Sequence, residues 1–392
     1  MAHKPLRISV VGGAGHVGLP LSLLLAKKGF HVTAIDTDKS KINLLRSGKF
    51  PFMEEGGLEL LRELTPDSIS FSTDHQDISR SEVIILTIGT PVDFHLNPDL
   101  RPIYESIDQI KPYFQKDQVI ILRSTLFPGT SERLQTLLQK QGFKVSVSFC
   151  PERIAQNVAL KELQEFPQII SGSDSHSLAT ARRVFSSFAP EIIELSMTEA
   201  ELAKLFTNTW RYLRFAVANQ FYMLAEEKGF DFYKIRSAMM RHYKRAADFP
   251  TAGFAAGPCL FKDTMQLSAY TRQTFALGNA AMLVNETLPD FLVEHAKRKK
   301  PLNGVKVGIL GMAYKADSDD SRESLAYKLR KLLLQENAQV DCTDPYIKDS
   351  TFSTLEQVLE SEILFIGCPH SVYKKISFEG KNVIDCWGFT RS

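Results

Sequence analysis

The chain has 392 residues, 44% of them hydrophobic and 23% charged, which excludes a disordered tail protein and a fibre and leaves room for two or three domains. Its 47 Lys and Arg against 45 Asp and Glu give a net charge of +2, without the basic excess that a nucleic-acid surface requires. The five cysteines are never closer than 18 residues, so neither a Cys-x-x-Cys metal site nor a disulfide framework is expected, and the reading is a reduced, cytoplasmic chain.

The N-terminus has basic residues (His3, Lys4, Arg7) and then an apolar run, as a secretory leader would. Gly12, Gly13 and Gly15 break that run, and no cleavage site follows. No stretch reaches the roughly 18 apolar residues that span a bilayer. Arg7–Val11 reads as a strand, Leu19–Lys28 as a helix and His31–Asp36 as a second strand. Further strands are expected at Ile69–Thr73, Val83–Ile88, Gln118–Arg123 and Lys144–Phe149. This alternation of strand and helix predicts a parallel sheet covered on both faces.

Between the first strand and helix stands Gly13-Ala14-Gly15-His16-Val17-Gly18, a G-x-G-x-x-G turn. Such glycines permit a tight turn and bring a helix N-terminus up to a pyrophosphate. Asp36, 18 residues after Gly18, stands where an acid holds a ribose hydroxyl. An acid there repels a 2′-phosphate, so NAD is favoured over NADP, although Lys39 and Lys41 lie close by.

From Met197 to about Lys228 no strong breaker interrupts the chain, and Gly229 fits a stop. Thr198-Glu199-Ala200-Glu201 fits a capping box at the start. Phe206, Leu213, Val217, Phe221 and Leu224 recur at helical steps, which predicts one long helix serving as a structural spine. A second helical stretch is expected from Asp263 to Arg298, and Lys297–Lys300 reads as a solvated helix end. The α/β pattern then restarts: strand Val305–Leu310, helix Ser321–Gln335, strand Gln339–Thr343, helix Leu355–Glu360, and strands Ile363–Cys368 and Asn382–Cys386. The expected architecture is α/β, with two Rossmann-like domains joined by a long central helix and a helical middle. The segments are 1–195 for NAD binding, 196–300 for the helical centre and 301–392 for the second α/β domain.

Three segments carry candidate chemistry. The loop Ala252–Asp263 delivers Cys259 just before a helix, where the helix N-terminus and Lys262 favour thiolate; taken alone, such a cysteine is equally readable as a small core residue. Lys204 and Asn208, four apart, share a helix face and either hold an oxyanion or simply meet solvent. Arg123–Thr130 and Cys150–Arg153 each follow a strand, at the end where open α/β sheets bind ligands.

With these residues on the page, the chain resembles the UDP-glucose/GDP-mannose dehydrogenase family almost end to end. The resemblance rests on Gly13–Gly18, Thr90-Pro91, Ser124-Thr125 with Pro128–Thr130, Pro151-Glu152, Lys204 with Asn208, Gly257–Asp263, and Gly311–Lys315 with Asp319–Arg322. The segments 151–154 and 252–267 most resemble the branch acting on UDP-N-acetyl-hexosamines, notably UDP-N-acetyl-mannosamine. UDP-glucose oxidation is the alternative substrate reading. A two-electron dehydrogenase of the hydroxyacid type and a catalytically silent binding protein are the competing classes.

The resemblance implies a double oxidation of the sugar C6 alcohol to a carboxylate, with Cys259 as nucleophile through a thiohemiacetal and a thioester. Lys204 and Asn208 would stabilise oxyanions. Asp263 would hold Lys204 and position water, Thr125 would orient water or cofactor, and Glu152 would assist thioester hydrolysis. By the same resemblance Gly13, Gly15, His16, Val17, Gly18, Asp36, Lys41, Thr90, Thr125, Lys262 and Arg322 belong with the cofactor. Glu152, Arg153, Lys204, Asn208, Arg245, Phe254, Gly257 and Lys315 belong with the UDP-sugar. Arg245, with Arg241 as the alternative register, would reach the neighbouring subunit's site, and the central helix would form a homodimer. No metal, nucleic acid or membrane partner is implied. Two departures stand out. Gln156 replaces a second glutamate of the UDP-glucose branch, and Asn157 replaces a common glycine, tolerable if its backbone is left-handed. The chain is also somewhat short for the family, which implies that a C-terminal extension is lacking.

Overall fold

The computed structural model describes residues 5–93 and 98–391; His3 and Lys4, weighed above as part of a leader, lie outside the described residues. Two compact units divide between Phe206 and Thr207.

The first unit is built on a six-stranded parallel sheet: β1 (Arg7–Val11), β2 (His31–Ile35), β3 (Ile69–Ser72), β4 (Val83–Leu86), β5 (Val119–Leu122) and β6 (Ser146–Phe149). The spatial order is β3-β2-β1-β4-β5-β6, so the chain reverses direction across the sheet between β1 and β4. Val-Ile-Ile-Leu in both β4 and β5 is buried at every residue, as strands with helices on both faces require. The helix Gly18–Lys27 is buried from Gly18 through Ala26 and packs on β2. A two-stranded parallel sheet, β7 (Gln168–Ile170) with β8 (Ile192–Glu194), adds to this unit.

The second unit carries a four-stranded parallel sheet: β9 (Lys306–Leu310), β10 (Gln339–Thr343), β11 (Ile363–Ile366) and β12 (Val383–Ile384), ordered β10-β9-β11-β12. Here the reversal falls between β9 and β11. The last strand is shorter than the five residues expected, because Asp385 accepts from the amides of Trp387 and Thr390 and draws the chain into a turn.

The central helix spans Met197–Glu227, with Gly229 in the left-handed region at its stop. Its cap differs from expectation. Ser196 and Glu199 form the reciprocal pair, Glu199 accepting from the Ser196 amide at 2.9 Å and Ser196 Oγ from the Glu199 amide at 3.3 Å. Glu201 is instead buried and turns away to accept from the amides of Gly129 (2.5 Å) and Ser131 (2.9 Å) and from Ser131 Oγ (2.6 Å). It thereby caps the helix Thr130–Lys140. Thr198 donates to Glu132.

The expected stretch Asp263–Arg298 is two helices, Leu260–Tyr270 and Ala276–Lys299. Arg272 and Gln273 take left-handed backbone between them. The apolar stripe of the central helix lies largely on the surface of the described chain: Phe206, Val217, Phe221 and Leu224 are exposed, with Trp210 beside them at 60%, while Leu213 is half-buried. No described helix is long and apolar enough to cross a membrane.

Candidate active site

The glycine-rich turn leaves β1 and enters the helix Gly18–Lys27. A Cβ on Gly13 would stand 2.8 Å from Ala34, and one on Gly18 would overlap the Gly12 carbonyl, so these positions admit only glycine. Gly12 has φ of +82° and donates its amide, as Gly13 does, to the Ile35 carbonyl. Asp36 directly follows β2, its carboxylate accepting from the amides of Ala14 (3.0 Å) and Asp38 (3.0 Å), which fixes the acid against the turn. A cavity of about 250 Å³ opens here, lined by Val11, Gly12, Asp36, Thr37, Ile88 and Ser106. A bare-backbone cradle beside a fixed acid suits a dinucleotide with a free ribose diol. Lys41 pairs with Asp38 at 3.7 Å, so it is drawn toward that acid rather than standing ready for a 2′-phosphate. The His16 ring lies 4.0 Å from that of Phe52, and Val17 precedes the helix.

The loops after β4, β5 and β6 form the rest of the first unit's carboxyl edge. Thr90 donates to the Thr125 carbonyl at 2.7 Å, so these two predicted residues are brought together. Glu152 is held by groups that sequence reasoning did not assign. One oxygen accepts from the amides of Arg153 (2.5 Å) and Ile154 (2.7 Å); the other meets Arg123 Nη2 at 2.5 Å. Arg123 is buried, donates also to the Cys150 carbonyl and Gln168, and lies over the Phe185 ring. Arg153 donates to the Pro167 carbonyl. Asn157 has φ of +76°, the left-handed backbone that its replacement of glycine requires, and its carbonyl accepts from the Glu55 amide. Burial pushes the Cys150 thiol up to about 12, so this cysteine is an inert core residue. Lys204 is buried on the central helix.

In the second unit Cys259 stands at the N-cap position of Leu260–Tyr270, and its carbonyl accepts from the Asp263 amide at 2.9 Å. It is the exposed one of five cysteines, none of them in a disulfide. Asp263 is fully buried and accepts from Asn208 Nδ2 at 2.6 Å, while Lys262 lies 3.2 Å from its other oxygen. Asn208, Asp263 and Lys262 thus gather one turn from the thiol. A fully buried carboxylate held by an amide and an ammonium is a group fixed in place before any ligand arrives.

The loop that carries the thiol is gripped on both sides. Asn219 and Asn285, both fully buried in their helices, bond to each other, and Asn219 clamps the Gly253 amide (2.8 Å) and carbonyl (3.0 Å). Tyr314 packs on Gly257, where a Cβ would overlap its ring, and the Gly257 amide donates to the Glu323 carbonyl. Arg322 pairs with Asp320 at 2.6 Å; that bond, with the Cys259 thiol also in electrostatic range, raises the guanidinium pKa. Phe254 is buried, Lys315 lies in the same loop as Tyr314, and Arg245 is exposed on the turn Lys244–Ala246.

A dinucleotide-type α/β unit joined in sequence to a helical middle and a second α/β sheet defines a dinucleotide-dependent dehydrogenase. The chain belongs to the UDP-glucose/GDP-mannose dehydrogenase family. The family's NAD binding domain matches residues 6–189, its central domain 198–287 and its UDP binding domain 308–392. A UDP-N-acetyl-D-mannosamine dehydrogenase of Methanocaldococcus jannaschii is 31% identical over 388 residues, covering 96% of this chain and 89% of that protein. The solved UDP-glucose dehydrogenase of Pyrobaculum islandicum superposes with a TM-score of 0.90 at 25% identity, covering 100% and 96%. The UDP-D-ManNAc dehydrogenase of Pyrococcus horikoshii superposes with 0.89 at 29% identity, covering 97% and 95%. The protein is an NAD-dependent oxidoreductase of nucleotide sugars.

Proposed function

We infer that this enzyme oxidises the C6 alcohol of UDP-N-acetyl-mannosamine, or a related UDP-N-acetyl-hexosamine, to the uronate. The observation that carries this reading is the Cys259 thiol, exposed at the first turn of a helix whose buried Asp263 is bonded to Asn208. The N-acetyl-mannosamine assignment draws on the names of the relatives at about 30% identity.

The glycine turn and Asp36 hold NAD, which when bound accepts one hydride in each of two oxidations. Asn208, with Lys204 one turn earlier on the same helix, stabilises the alkoxide as the alcohol becomes an aldehyde. The Cys259 thiolate adds to the aldehyde carbon, and the oxygen takes a proton to give a thiohemiacetal. Loss of hydride and a proton from that group leaves a thioester. Water attacks the thioester carbonyl, the C–S bond breaks, and carboxylate and thiol are released. Asp263 orients Asn208 and the water. Thr125, tied to Thr90, stands at the cofactor edge. Glu152, anchored by Arg123, fixes the entry to the substrate loop and supports the hydrolysis, with Arg153 following it. Phe254, Gly257 and Lys315 shape the nucleotide-sugar side, Arg322 belongs with the cofactor, Lys262 adds positive charge near Asp263, and Lys41, paired with Asp38, lies on the cofactor side.

The exposed stripe of Phe206, Trp210, Val217, Phe221 and Leu224 on one helix is the expected face of a homodimer, with exposed Arg245 reaching toward the partner's phosphates. Thiols throughout fit a reducing, cytoplasmic setting.

The test is NADH formed per sugar consumed, across UDP- and GDP-sugars. Two NADH per UDP-N-acetyl-mannosamine is the expected result, with Cys259→Ser unable to make uronate. One NADH per sugar, or uronate from Cys259→Ser at the wild-type rate, sinks the reading.

A further inference from the structure

The loop that bears Cys259 is held by one aromatic side chain that no catalytic role explains. Gly253 has φ of +152°, and a Cβ there would overlap the Trp387 ring, so the indole lies directly on the loop backbone. Phe254 meets the same ring edge-on at 5.9 Å. The indole is itself fixed. Its Nε1 donates to the Ile366 carbonyl at 3.0 Å, and its amide donates to Asp385 at 2.9 Å. Asp385 is locked in turn by the amide and hydroxyl of Thr390. Tyr233 donates to the neighbouring Cys386 carbonyl at 2.6 Å.

Ile366 is the last residue of β11, paired with Leu310 at the end of β9. Those two strand ends flank the reversal of this sheet, which is where open α/β sheets take their ligands, here within the UDP binding domain. One side chain therefore bonds to the nucleotide edge of the third domain and presses on the backbone six residues before the thiol.

We propose that Trp387 is a positioning residue that sets the Cys259 loop and ties it to nucleotide occupancy of the third domain. This rests on the reading of Cys259 as the nucleophile. The indole face and the Asn219 clamp together confine Gly253, so the loop has one register while both hold. A nucleotide that shifts or stiffens the β9–β11 edge acts on Ile366, through it on the indole, and so on the loop.

The experiment is the alkylation rate of Cys259 by iodoacetamide, followed by mass spectrometry with and without UDP. The other four cysteines are buried, so one thiol reports. UDP should change the wild-type rate. Trp387→Leu should alter the rate without UDP by at least about threefold, since thiol reactivity follows local environment, and should abolish the UDP effect. Trp387→Phe, which keeps a ring on Gly253, should restore most of both. In turnover, Trp387→Leu should lower kcat for uronate by at least about tenfold, as small misplacements of reacting groups do, with KM for NAD unchanged. Gly253→Ala drives a methyl into the same ring and should reproduce the Trp387→Leu behaviour, which keeps the test decisive if Trp387→Leu fails to fold. A wild-type rate unmoved by UDP, an equal UDP effect in Trp387→Leu, or wild-type behaviour of Gly253→Ala overturns the proposal. None of these needs turnover, so they are distinct from failure of the nucleophile reading, which Cys259→Ser decides.

Discussion

Replacing Arg123 by Met should unbalance the first unit more than any surface change. The guanidinium is 1% and the Glu152 carboxylate 9% exposed, and they meet at 2.5 Å. Removing the cation leaves a carboxylate in the interior with only two backbone amides, and breaking one partner of a buried pair costs about 3–5 kcal/mol. The Cys150 carbonyl and Gln168 also lose a donor, and Phe185 loses the cation above its ring. These add about 1 kcal/mol net. A total of about 5 kcal/mol, at roughly 2–4 °C per kcal/mol for a unit of this size, lowers Tm by about 15 °C. Differential scanning calorimetry of the full chain reads this directly. Arg123→Met with Glu152→Gln should regain more than half of the loss, because the Gln carbonyl still accepts from the Arg153 and Ile154 amides while the uncompensated charge is gone. A Tm drop of less than about 3 °C in Arg123→Met, about 1 kcal/mol on that scale, or a double variant no better than the single, refutes the reasoning.

Asp36→Ser should raise KM for NAD by about tenfold, the worth of one charge-assisted bond at about 1.4 kcal/mol, and raise activity with NADP; an unchanged ratio in steady-state assays with both cofactors would remove Asp36 from cofactor choice. Leu224→Glu places a carboxylate in the exposed apolar stripe and should convert a dimer to a monomer in light scattering; an unaltered mass would mean the stripe is not the interface. Burial acts to raise the Asp344 carboxyl, but hydrogen bonds from His370 and from the Tyr346 and Met312 amides outweigh it and hold it below its ordinary 3.8. A depressed carboxyl stabilises the fold above its ordinary value, and this contribution is lost as the pH falls below 3.8 toward the folded-state value. Urea unfolding at stepped pH should therefore show a steeper acid loss in the wild type than in Asp344→Asn; parallel curves would refute it.

The parts of the fold that were legible in the sequence are those where a local rule and the tertiary environment agree. Two Val-Ile-Ile-Leu runs read as central parallel strands because nothing polar interrupts them, and they are buried at every residue. The G-x-G-x-x-G turn and Asp36 were readable because their spacing is set by one strand and one helix. The cap of the central helix was misread because Glu199 and Glu201 are chemically alike. Only the distant amides of Gly129 and Ser131 decide which carboxylate stays local. The helix break after Tyr270 carries no glycine or proline; Arg272 and Gln273 take up positive φ without a compositional sign. The roles of Arg123, Asn219, Asn285 and Trp387 depend on partners tens of residues away, and no periodicity announces them. The central stripe was legible as helical, but spacing alone does not tell a face that packs on a partner copy from one that packs on a core.

The two glycines that bracket the cysteine loop's small-residue run each face a ring supplied by the third domain: Gly253 faces Trp387 and Gly257 faces Tyr314. Loop and third domain are therefore a single fitted part, although more than fifty residues of chain separate them. A chimera that takes residues after 300 from a relative brings different rings against these backbones, and a chimera that takes only the loop brings different backbones against these rings. Changes of nucleotide preference in this scaffold should consequently be accepted, in the laboratory or over evolutionary time, as paired replacements of the two segments and seldom one at a time.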